Sequence, residues 1–347
     1  MNYEIEFLPV GNGEKSGDAI LVRCGEENDY KIMVVDGGGK ESGQALVDHI
    51  KNYYKTDYVD YVVNTHPDQD HASGLSVVLE ELKVGELWIH RPWEHTSEII
   101  HHFKDGRITE NSLKERLQKA FKYVYPLEEM AREKNIKIYE PYQGSKIGEF
   151  EVLSPNINWY LYELIPEFNK TPDAKPATES FTDSLSTLAS RVLESFNYEI
   201  LKEDGETSAD NESSVILYAN FNGDGILLTG DSGIRALNKA YDYKPQISDN
   251  LKFVQVPHHG SRRNVSPSIL DKILGNKGQS INKTAFVSAS KESTKHPRPI
   301  VVNAFIRRGC KVCSTEGNTI MNYQGMPNRD GWSAVTPLEF KEDVEEY

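Results

Sequence analysis

The chain has 347 residues, a net charge of −14 at pH 7 and a hydrophobic fraction of 38%. That fraction is sufficient for a packed core, and the length suits one large α/β domain as well as two smaller ones. The acidic surplus argues against a protein that coats nucleic acid indiscriminately. The first ten residues lack a basic segment followed by a long apolar one, and no run of about 18 apolar residues occurs, so we expect neither a signal peptide nor a membrane span.

The N-terminal half reads as alternating strands and helices. Alternating apolar residues predict four strands, near residues 2–9, 18–24, 30–36 and 58–64. Helical spacing of apolar residues predicts helices over Ser42–Tyr54 and Leu75–Leu82, and two or three charged helices within 96–135. This alternation indicates an α/β protein.

The segment 157–212 stands apart in composition. It joins an aromatic stretch, a Pro/Lys/Thr stretch, a helical pattern over Ser184–Phe196 and an acidic stretch. We predict one domain over residues 1–347, in which 157–212 is an insertion over the active-site face, either a lid or a solvated appendage. Residues 339–347 form an acidic tail.

The stretch His66-Pro67-Asp68-Gln69-Asp70-His71 directly follows the strand predicted near 58–64. Neutral imidazoles and carboxylates at this density suit divalent cations, and hydrolytic two-metal sites need two such ions side by side. A polar turn with surface histidines is the alternative. Later motifs decide between the two interpretations.

Three further apolar runs end in residues of ligand type. The run Ile226–Leu228 leads to Asp231, a second run leads to His258 and His259, and a third leads through a polar loop to His296. Strand ends at one edge of a sheet can collect side chains from distant parts of a sequence. Any one of these runs could precede an ordinary polar loop, but four in one chain make chance an unsatisfactory explanation.

In this order, the motifs HPDQDH, LTGD, PHHGS and a late His-Pro resemble the metallo-β-lactamase-fold hydrolases. They are most similar to the branch that contains the nuclease-like domain of the DNA-uptake protein ComEC, here as a soluble stand-alone protein. The blocks around Gly17-Asp18-Ala19 and Asp36-Gly37-Gly38 resemble the opening strands of that branch. The resemblance implies a four-layer αββα sandwich with two mixed β-sheets. It indicates the substrate far less specifically, because this fold hosts many hydrolytic chemistries.

The resemblance also implies a site with two divalent metal ions, which could be Zn, Mn or Mg. The implied metal ligands are His66, Asp68, Asp70, His71, Asp231 and His296. Asp231 is best placed to bridge the ions. An aspartate at position 68 adds a hard carboxylate ligand, which shifts the expected metal preference from zinc alone towards manganese or magnesium. The expected catalytic residues are Asp70 and His258, of which His258 acts near the leaving group as a general acid or a clamp. Asp36 would be an outer acceptor that orients a ligand imidazole.

The chain departs from the family pattern at two places. The turn between Gly11 and Gly17 is longer than usual, and Ser154 stands where many relatives have a metal-binding histidine. One metal would then lack a nitrogen ligand, unless another histidine replaces it. The candidates are His90, His95, His101 and His102, although each is more simply explained as an ordinary surface or helix histidine.

Positive charge is concentrated in one segment of this acidic chain. From Leu251 to Lys311 there are 12 Lys and Arg against two acidic residues, a balance of 12 − 2 = +10. A phosphodiester substrate needs cations along its backbone, so we predict substrate-binding roles in the loop of the PHHGS motif. The predicted substrate-binding residues are His259, Ser261, Arg262 and Arg263. The alternative is that the basic residues pair with the chain's own carboxylates.

The cysteine content favours a reducing compartment. Cys24, Cys310 and Cys313 do not form a disulfide framework, and the single CxxC spacing of the last two is a weak metal signal. We therefore expect reduced thiols and a cytoplasmic location.

Three functions remain open on these grounds. The first is a metal-dependent phosphodiesterase or nuclease that uses a dinuclear metal site, a metal-activated water and a nucleic acid or nucleotide-type substrate. The second is a metallo-hydrolase of esters, lactones or amides. The third is a regulatory or binding module whose metal site is impaired at Ser154.

Overall fold

The computed structural model describes residues 1–11, 16–27, 29–103, 107–168 and 191–345. Within these residues, two mixed seven-stranded sheets pack face to face and carry helices on their outer faces. This is the αββα sandwich that the resemblance implied, so the predicted fold is confirmed.

Helices and strands alternate along most of the chain. The strands are β1 (Asn2–Phe7), β2 (Ala19–Glu26), β3 (Asp29–Gly37), β4 (Tyr58–Val63), β5 (Lys83–Trp88), β6 (Lys137–Tyr139), β7 (Lys146–Ile147), β8 (Phe150–Ser154), β9 (Arg191–Leu193), β10 (Ile216–Phe221), β11 (Asp224–Leu228), β12 (Leu251–Gln255), β13 (Lys283–Val287), β14 (Cys310–Ser314), β15 (Ile320–Gln324) and β16 (Asp343–Glu345). The α-helices are α1 (Lys40–His49), α2 (Gln69–Ala72), α3 (Leu75–Glu81), α4 (Thr96–Ile99), α5 (Glu110–Ala120), α6 (Tyr125–Glu133), α7 (Ile157–Trp159), α8 (Ile165–Glu167), α9 (Ala209–Glu212), α10 (Ile234–Tyr243), α11 (Pro267–Leu274) and α12 (Pro299–Arg307). A π-helical turn over Ile50–Tyr54 extends α1, and another over Tyr160–Leu164 joins α7 to α8.

The two sheets have related strand orders. The first runs β15-β1-β2-β3-β4-β5-β6, and the second runs β14-β13-β12-β11-β10-β8-β7. Strands β3 to β6 are parallel to one another, as are β11 to β14. The carboxyl ends of parallel strands meet at one edge of a sheet, and the loops there are the usual position of a binding site in open α/β sheets.

Alternation along the strands separates two hydrophobic layers. On β1, Tyr3, Ile5 and Phe7 point between the sheets, where the Phe7 ring lies edge-on to Phe286 at 5.5 Å between ring centroids. The opposite faces of β2 and β3 instead pack beneath the helices. Since side chains alternate with a period of two, a strand buried on both faces joins both layers.

The helices cover the outer faces in pairs. Helices α1 and α3 pack on each other and on β3, while α10 packs on β8 and α12 on β14. Leu46 and Val47 supply the buried stripe of α1, as the apolar spacing predicted. No helix in the described ranges is long and apolar enough to cross a membrane.

The described parts of segment 157–212 are held by long-range contacts. Trp159, Tyr160 and Ile165 are buried in the main hydrophobic core, whereas 169–190 lie outside the described residues. The helical prediction for Ser184–Phe196 is wrong where it can be compared, because 191–193 form β9, which pairs antiparallel with β16. Apolar spacing is a local signal, and here pairing with a strand about 150 residues away overrides it. The division into a domain, an insertion and a tail remains a prediction.

The cysteines are buried thiols. Cys310 and Cys313 lie on β14, and Cys24 lies on β2. Burial raises the pKa of Cys310 to about 12, which makes its thiol unreactive.

Candidate metal centre

The predicted motifs meet at the carboxyl edges of the two parallel strand sets. His66 follows β4, Asp231 follows β11, and the pair His258 and His259 follows β12. Asp36 lies near the end of β3. Residues that are far apart in sequence are therefore neighbours here.

A close backbone contact fixes the position of the HPDQDH loop. A Cβ atom on Gly17 would lie 2.1 Å from the carbonyl oxygen of Asp70, so a larger residue would push the two segments apart. The contact places Asp18, the residue that follows, beside His71 on the short helix α2. The resemblance included Asp18 in a strand motif but did not assign it to the site.

Asp36 sets the orientation of two histidine rings. Its Oδ2 accepts hydrogen bonds from His71 Nδ1 at 2.8 Å and from Thr65 Oγ1 at 2.5 Å. Because the Thr65 hydroxyl donates to Asp36, it accepts from His66 Nδ1 at 3.0 Å. Both rings therefore carry a proton on Nδ1, which leaves Nε2 as the atom that can bind a metal.

His259 is oriented in the same way by a different partner. Its Nδ1 donates to the carbonyl oxygen of Ser288 at 3.1 Å, and the ring is almost fully buried. The Nε2 atoms of His66, His71 and His259 are all buried without a hydrogen-bond partner among the described residues. Buried polar atoms without partners are uncommon, and a missing ion is one accepted explanation.

These nitrogen atoms converge on Asp231. Its carboxylate oxygens lie 3.5 Å from His71 Nε2, 3.8 Å from His66 Nε2 and 3.7 Å from His259 Nε2. Within the described residues, three groups of side chains present ligand atoms within 4.8 Å of one another. The groups are Asp36, His66 and His71; Asp70, His71 and His259; and Asp18, Asp231 and His259. Imidazole and carboxylate ligands of this kind fit a divalent cation of the borderline to hard class.

Asp18 and Gln255 are functional candidates that the sequence analysis missed. Gln255 Nε2 donates to Asp18 Oδ2 at 2.7 Å, while its Oε1 accepts from the backbone N–H groups of Thr229 and Gly230. Gln255 thus connects the Asp18 carboxylate to the loop that carries Asp231. The block containing Gly17 and Asp18 was the one available signal for Asp18.

The electrostatics favour a cation at this point. Burial opposes ionisation of Asp231, but the imidazoles of His258, His71 and His259 outweigh it and hold the pKa of Asp231 well below its usual range. Burial likewise opposes protonation of His71, yet Asp231 and Asp36 hold the pKa of its imidazole well above the usual range. Buried carboxylates at this density are costly unless positive charge compensates them.

His258 lies at the edge of the centre and is partly exposed. Its Nδ1 is 2.9 Å from Asn264 Oδ1, and the Asn264 amide nitrogen donates to the carbonyl oxygens of Asp231 and Ser232. This fixes Asn264 Oδ1 as an acceptor, so His258 donates from Nδ1 and points Nε2 at Asp231 Oδ2, 3.6 Å away. Asn211, from segment 157–212, also approaches the ring, with its Nδ2 at 3.2 Å from Nδ1. No motif or spacing in the sequence pointed to either asparagine.

The other predicted residues lie at varying distances from the centre. Asp68 is one-third exposed, with Oδ2 3.8 Å from His66 Nε2. His296 belongs to none of the three groups found in the described residues, and its ring stacks 6.3 Å from that of His258. Ser261 is buried and accepts a hydrogen bond from the Arg263 backbone, while Arg262 and Arg263 are half-buried on the same loop.

The four histidines that could replace a metal ligand missing at position 154 lie in other surroundings. His90 is buried and stacks on Tyr160, and burial lowers its pKa to about 3. His95 hydrogen-bonds Glu140 and Glu98. His101 and His102 are exposed in a short helical turn. None of these histidines joins a metal-holding group within the described ranges.

Part of the basic segment turns away from the metal centre. Arg307 and Arg308 are fully buried at the end of α12, where Arg307 pairs with Glu194 and Arg308 forms a two-point ion pair with Glu199. Lys277 also pairs with Glu199. For these residues the alternative holds, in which basic side chains pair with the chain's own carboxylates.

Comparison with known families agrees with this geometry. Residues 12–133 match the family described as the Metallo-beta-lactamase superfamily. The matched residues include Asp18, Asp36 and the HPDQDH loop of the metal centre.

Individual relatives of this metallo-β-lactamase-fold chain are distant. It is similar to ComE operon protein 3 of Bacillus subtilis (strain 168), with 24% identity over 289 residues, which are 83% of this chain and 27% of that protein. The chain thus spans about a quarter of the length of that relative. Among solved structures it is similar to the metallo-beta-lactamase fold protein YhfI of Bacillus subtilis, with 8% identity, 93% and 100% coverage of the two chains and a TM-score of 0.44. It is also similar to a diphosphatase of the PhnP family, with 11% identity, 93% and 98% coverage and a TM-score of 0.40.

Proposed function

We propose that the chain is a metal-dependent phosphodiesterase or nuclease with a dinuclear metal site and a metal-activated water. The observation that carries this proposal is the convergence of three imidazole Nε2 atoms, all buried and lacking partners among the described residues, on the Asp231 carboxylate. Donors of this type in this number are suited to hydrolytic metal ions.

The residues present fit two ions. His66, His71, His259, Asp70 and Asp231 would hold them, with Asp18 and Asp68 at the edges of the site. The chemistry supplied by bound divalent ions is a water of lowered pKa and positive charge for an oxygen of the phosphoryl group. We assign to His259 the metal-ligand role that the sequence predicted for His296, because His259 Nε2 lies 3.7 Å from Asp231 and its Nδ1 donates to the Ser288 carbonyl.

The protein's own groups orient the reaction around this centre. Asp36 and Thr65 keep His66 and His71 in the tautomer that binds metal. His258 is partly exposed and fixed by Asn264, so its Nε2 can hold a proton for the leaving group. Asp70 is half-buried beside His71 and His259, where a carboxylate can accept a hydrogen bond from the attacking water.

The preference for a phosphodiester is supported by the loop that follows His259. Arg262 and Arg263 are half-buried there, and Arg298 is tied to the same loop by its backbone N–H, which donates to the Gly260 carbonyl at 3.1 Å. Forked guanidinium donors match phosphate oxygens well. An uncharged ester or lactone would need none of these cations.

The test is a comparison of substrates and metals. Bis(p-nitrophenyl) phosphate, a β-lactam and a thioester are each incubated with the protein in Mn²⁺, Mg²⁺ or Zn²⁺, and elemental analysis counts the bound ions. We expect close to two ions and preferential cleavage of the phosphodiester, with activity lost in Asp70→Ala and His71→Ala. Preference for an uncharged ester would replace the proposal with a general metallo-hydrolase. Absence of both metal binding and hydrolysis would favour the binding module.

A further inference from the structure

A cavity of about 410 Å³ lies beside the metal centre, between the His-Pro loop and the C-terminal segment. One wall is formed by 293–299 and the start of α12, and the other by side chains from 338–345. Its volume is within the range of small-molecule sites. The metal centre described above does not use it.

His296 and His258 connect the cavity to the metal centre. His296 lines the cavity, and its ring stacks on that of His258, whose Nε2 is 3.6 Å from Asp231. A substrate whose scissile group lay at Asp231 would therefore extend into the cavity past these two rings.

The inner charges of the cavity are mainly positive. Lys295 and Arg298 are half-buried on its wall, and the positive end of the nine-residue helix α12 lies at it. The acidic residues Glu316, Glu339 and Asp343 also line the cavity but are exposed at its rim. Exposed charges are screened by water, so the half-buried cations dominate inside.

One carboxylate already lies among these cations. Both oxygens of Glu345 are buried, and neither hydrogen-bonds another residue in the part of the chain that the structure describes. Burial raises the pKa of Glu345, while its own backbone N–H and the nearby charges of Arg298 and Arg262 oppose this rise. The pairing of β16 with β9 and the burial of Val344 hold the backbone of this segment in place. Glu345 thus brings a carboxylate to the cavity without the hydrogen bonds from other residues that usually accompany a buried carboxylate.

We propose that this cavity is an anion-binding subsite for a second phosphate of the substrate. The Glu345 carboxylate competes with that phosphate for the cations of the cavity. The inference rests on the proposed function, because it assumes that the scissile phosphate lies at the metal centre. A terminal phosphate would displace the Glu345 carboxylate and gain the charges of Arg298 and Lys295. A phosphate can also accept the hydrogen bonds that those side chains offer, which suits guanidinium donors.

The test uses the metal-loaded full chain and two dinucleotides that differ only in terminal phosphates. Thymidine dinucleotide without terminal phosphates is compared with the same dinucleotide phosphorylated at both ends. We expect a lower KM for the phosphorylated form. Glu345→Gln should enlarge that advantage by about three- to tenfold, and Arg298→Gln should remove it. Glu342→Gln is the matched control, since Glu342 is exposed on the same segment and does not line the cavity.

Each outcome bears on one of the two proposals. If both dinucleotides are cleaved with equal KM, or if the Glu345 and Arg298 variants shift both substrates alike, the subsite is refuted while the proposed function stands. If neither is cleaved, the proposed function fails, and titration of the metal-loaded protein with inorganic pyrophosphate then decides the subsite. Tighter binding in Glu345→Gln and weaker binding in Arg298→Gln would support it, and equal binding in all variants would overturn it.

Discussion

Replacing Asp36 by asparagine should strongly lower the metal affinity of the site while leaving the fold intact. Asp36 has a φ of 56°, a left-handed conformation that asparagine tolerates better than most residues do. Its Oδ1 accepts from the backbone N–H of Thr65 and from the side-chain amide of Asn64, so in the variant the amide oxygen must stay on that side. The amide nitrogen then faces Thr65 Oγ1 and His71 Nδ1.

This reversal changes the tautomer of His71. An amide N–H directed at Nδ1 makes that nitrogen an acceptor, so the ring proton moves to Nε2, the atom that lies 3.5 Å from Asp231. A ligand nitrogen that carries a proton cannot bind metal. Loss of an outer partner of this kind typically lowers metal affinity by 10–100-fold, or about 1.4–2.7 kcal/mol.

Chelator-competition titration with Zn²⁺ and Mn²⁺ measures the effect directly. Asp60→Asn is the matched control, because Asp60 is a part-buried carboxylate on β4 that accepts the Ile32 backbone N–H. Thermal unfolding in excess chelator shows whether either variant has lost its fold. Wild-type metal affinity in a folded Asp36→Asn protein would refute the argument that Asp36 selects the tautomer.

Three further outcomes follow from the structure. His259→Ala should lower metal occupancy, whereas His296→Ala should leave occupancy nearly unchanged, as measured by elemental analysis. Changing Arg262 and Arg263 together to Ala should reduce the slope of log K against log salt for oligonucleotide binding by up to about 0.7–0.9 for each phosphate that the two side chains no longer neutralise. The hydrogen bond to Glu140 and the one to Glu98 raise the pKa of His95 to about 9, above its unfolded value, so its stabilisation is complete below pH 6.5 and is lost as the pH rises through 9. At pH 6 the free energy of unfolding of His95→Gln should therefore be about 1–2 kcal/mol lower than that of wild type, after allowance for screening. Above pH 10 the two proteins should be equally stable.

Each outcome has its own control. A loss of metal in His296→Ala with full occupancy in His259→Ala would restore the ligand set predicted from the sequence. Lys272 lies in the same basic segment, but its side chain donates to Asn238. An equal change of slope in Lys272→Ala would therefore contradict a specific role for the two arginines. A His95→Gln penalty that persists unchanged above pH 10 would mean that charge is not the cause.

The sequence by itself determined the fold class and the neighbourhood of the site. Apolar alternation located the strands, and ligand-type residues just past strand ends located the edge at which they meet, because both signals are local. The motif order and the resemblance were enough to predict that His66 and Asp231 lie in the same site. The resemblance also marked Asp36 as an outer acceptor that orients a ligand imidazole.

The tertiary structure alone showed which further side chains lie beside Asp231. His259 Nδ1 donates to the carbonyl of Ser288, which follows β13, and His259 Nε2 lies 3.7 Å from Asp231, whereas the ring of His296 stacks on that of His258. Asp18 is held at the site by the contact of Gly17 with Asp70 and by the hydrogen bond from Gln255. These contacts join residues far apart in the chain, and a periodic pattern carries no information about them.

For the same reason, the sequence could not show which charges of the basic segment and of the C-terminal segment lie near the site. Net charge counted along the sequence could not distinguish Arg262, on the loop beside the metal centre, from Arg307, buried against Glu194. Nor could composition show that Glu345, in a tail that is simply acidic in sequence, lies in a cavity lined by Arg298. Electrostatic interactions depend on distance and burial in three dimensions, so only the folded chain decides which charges act at the site.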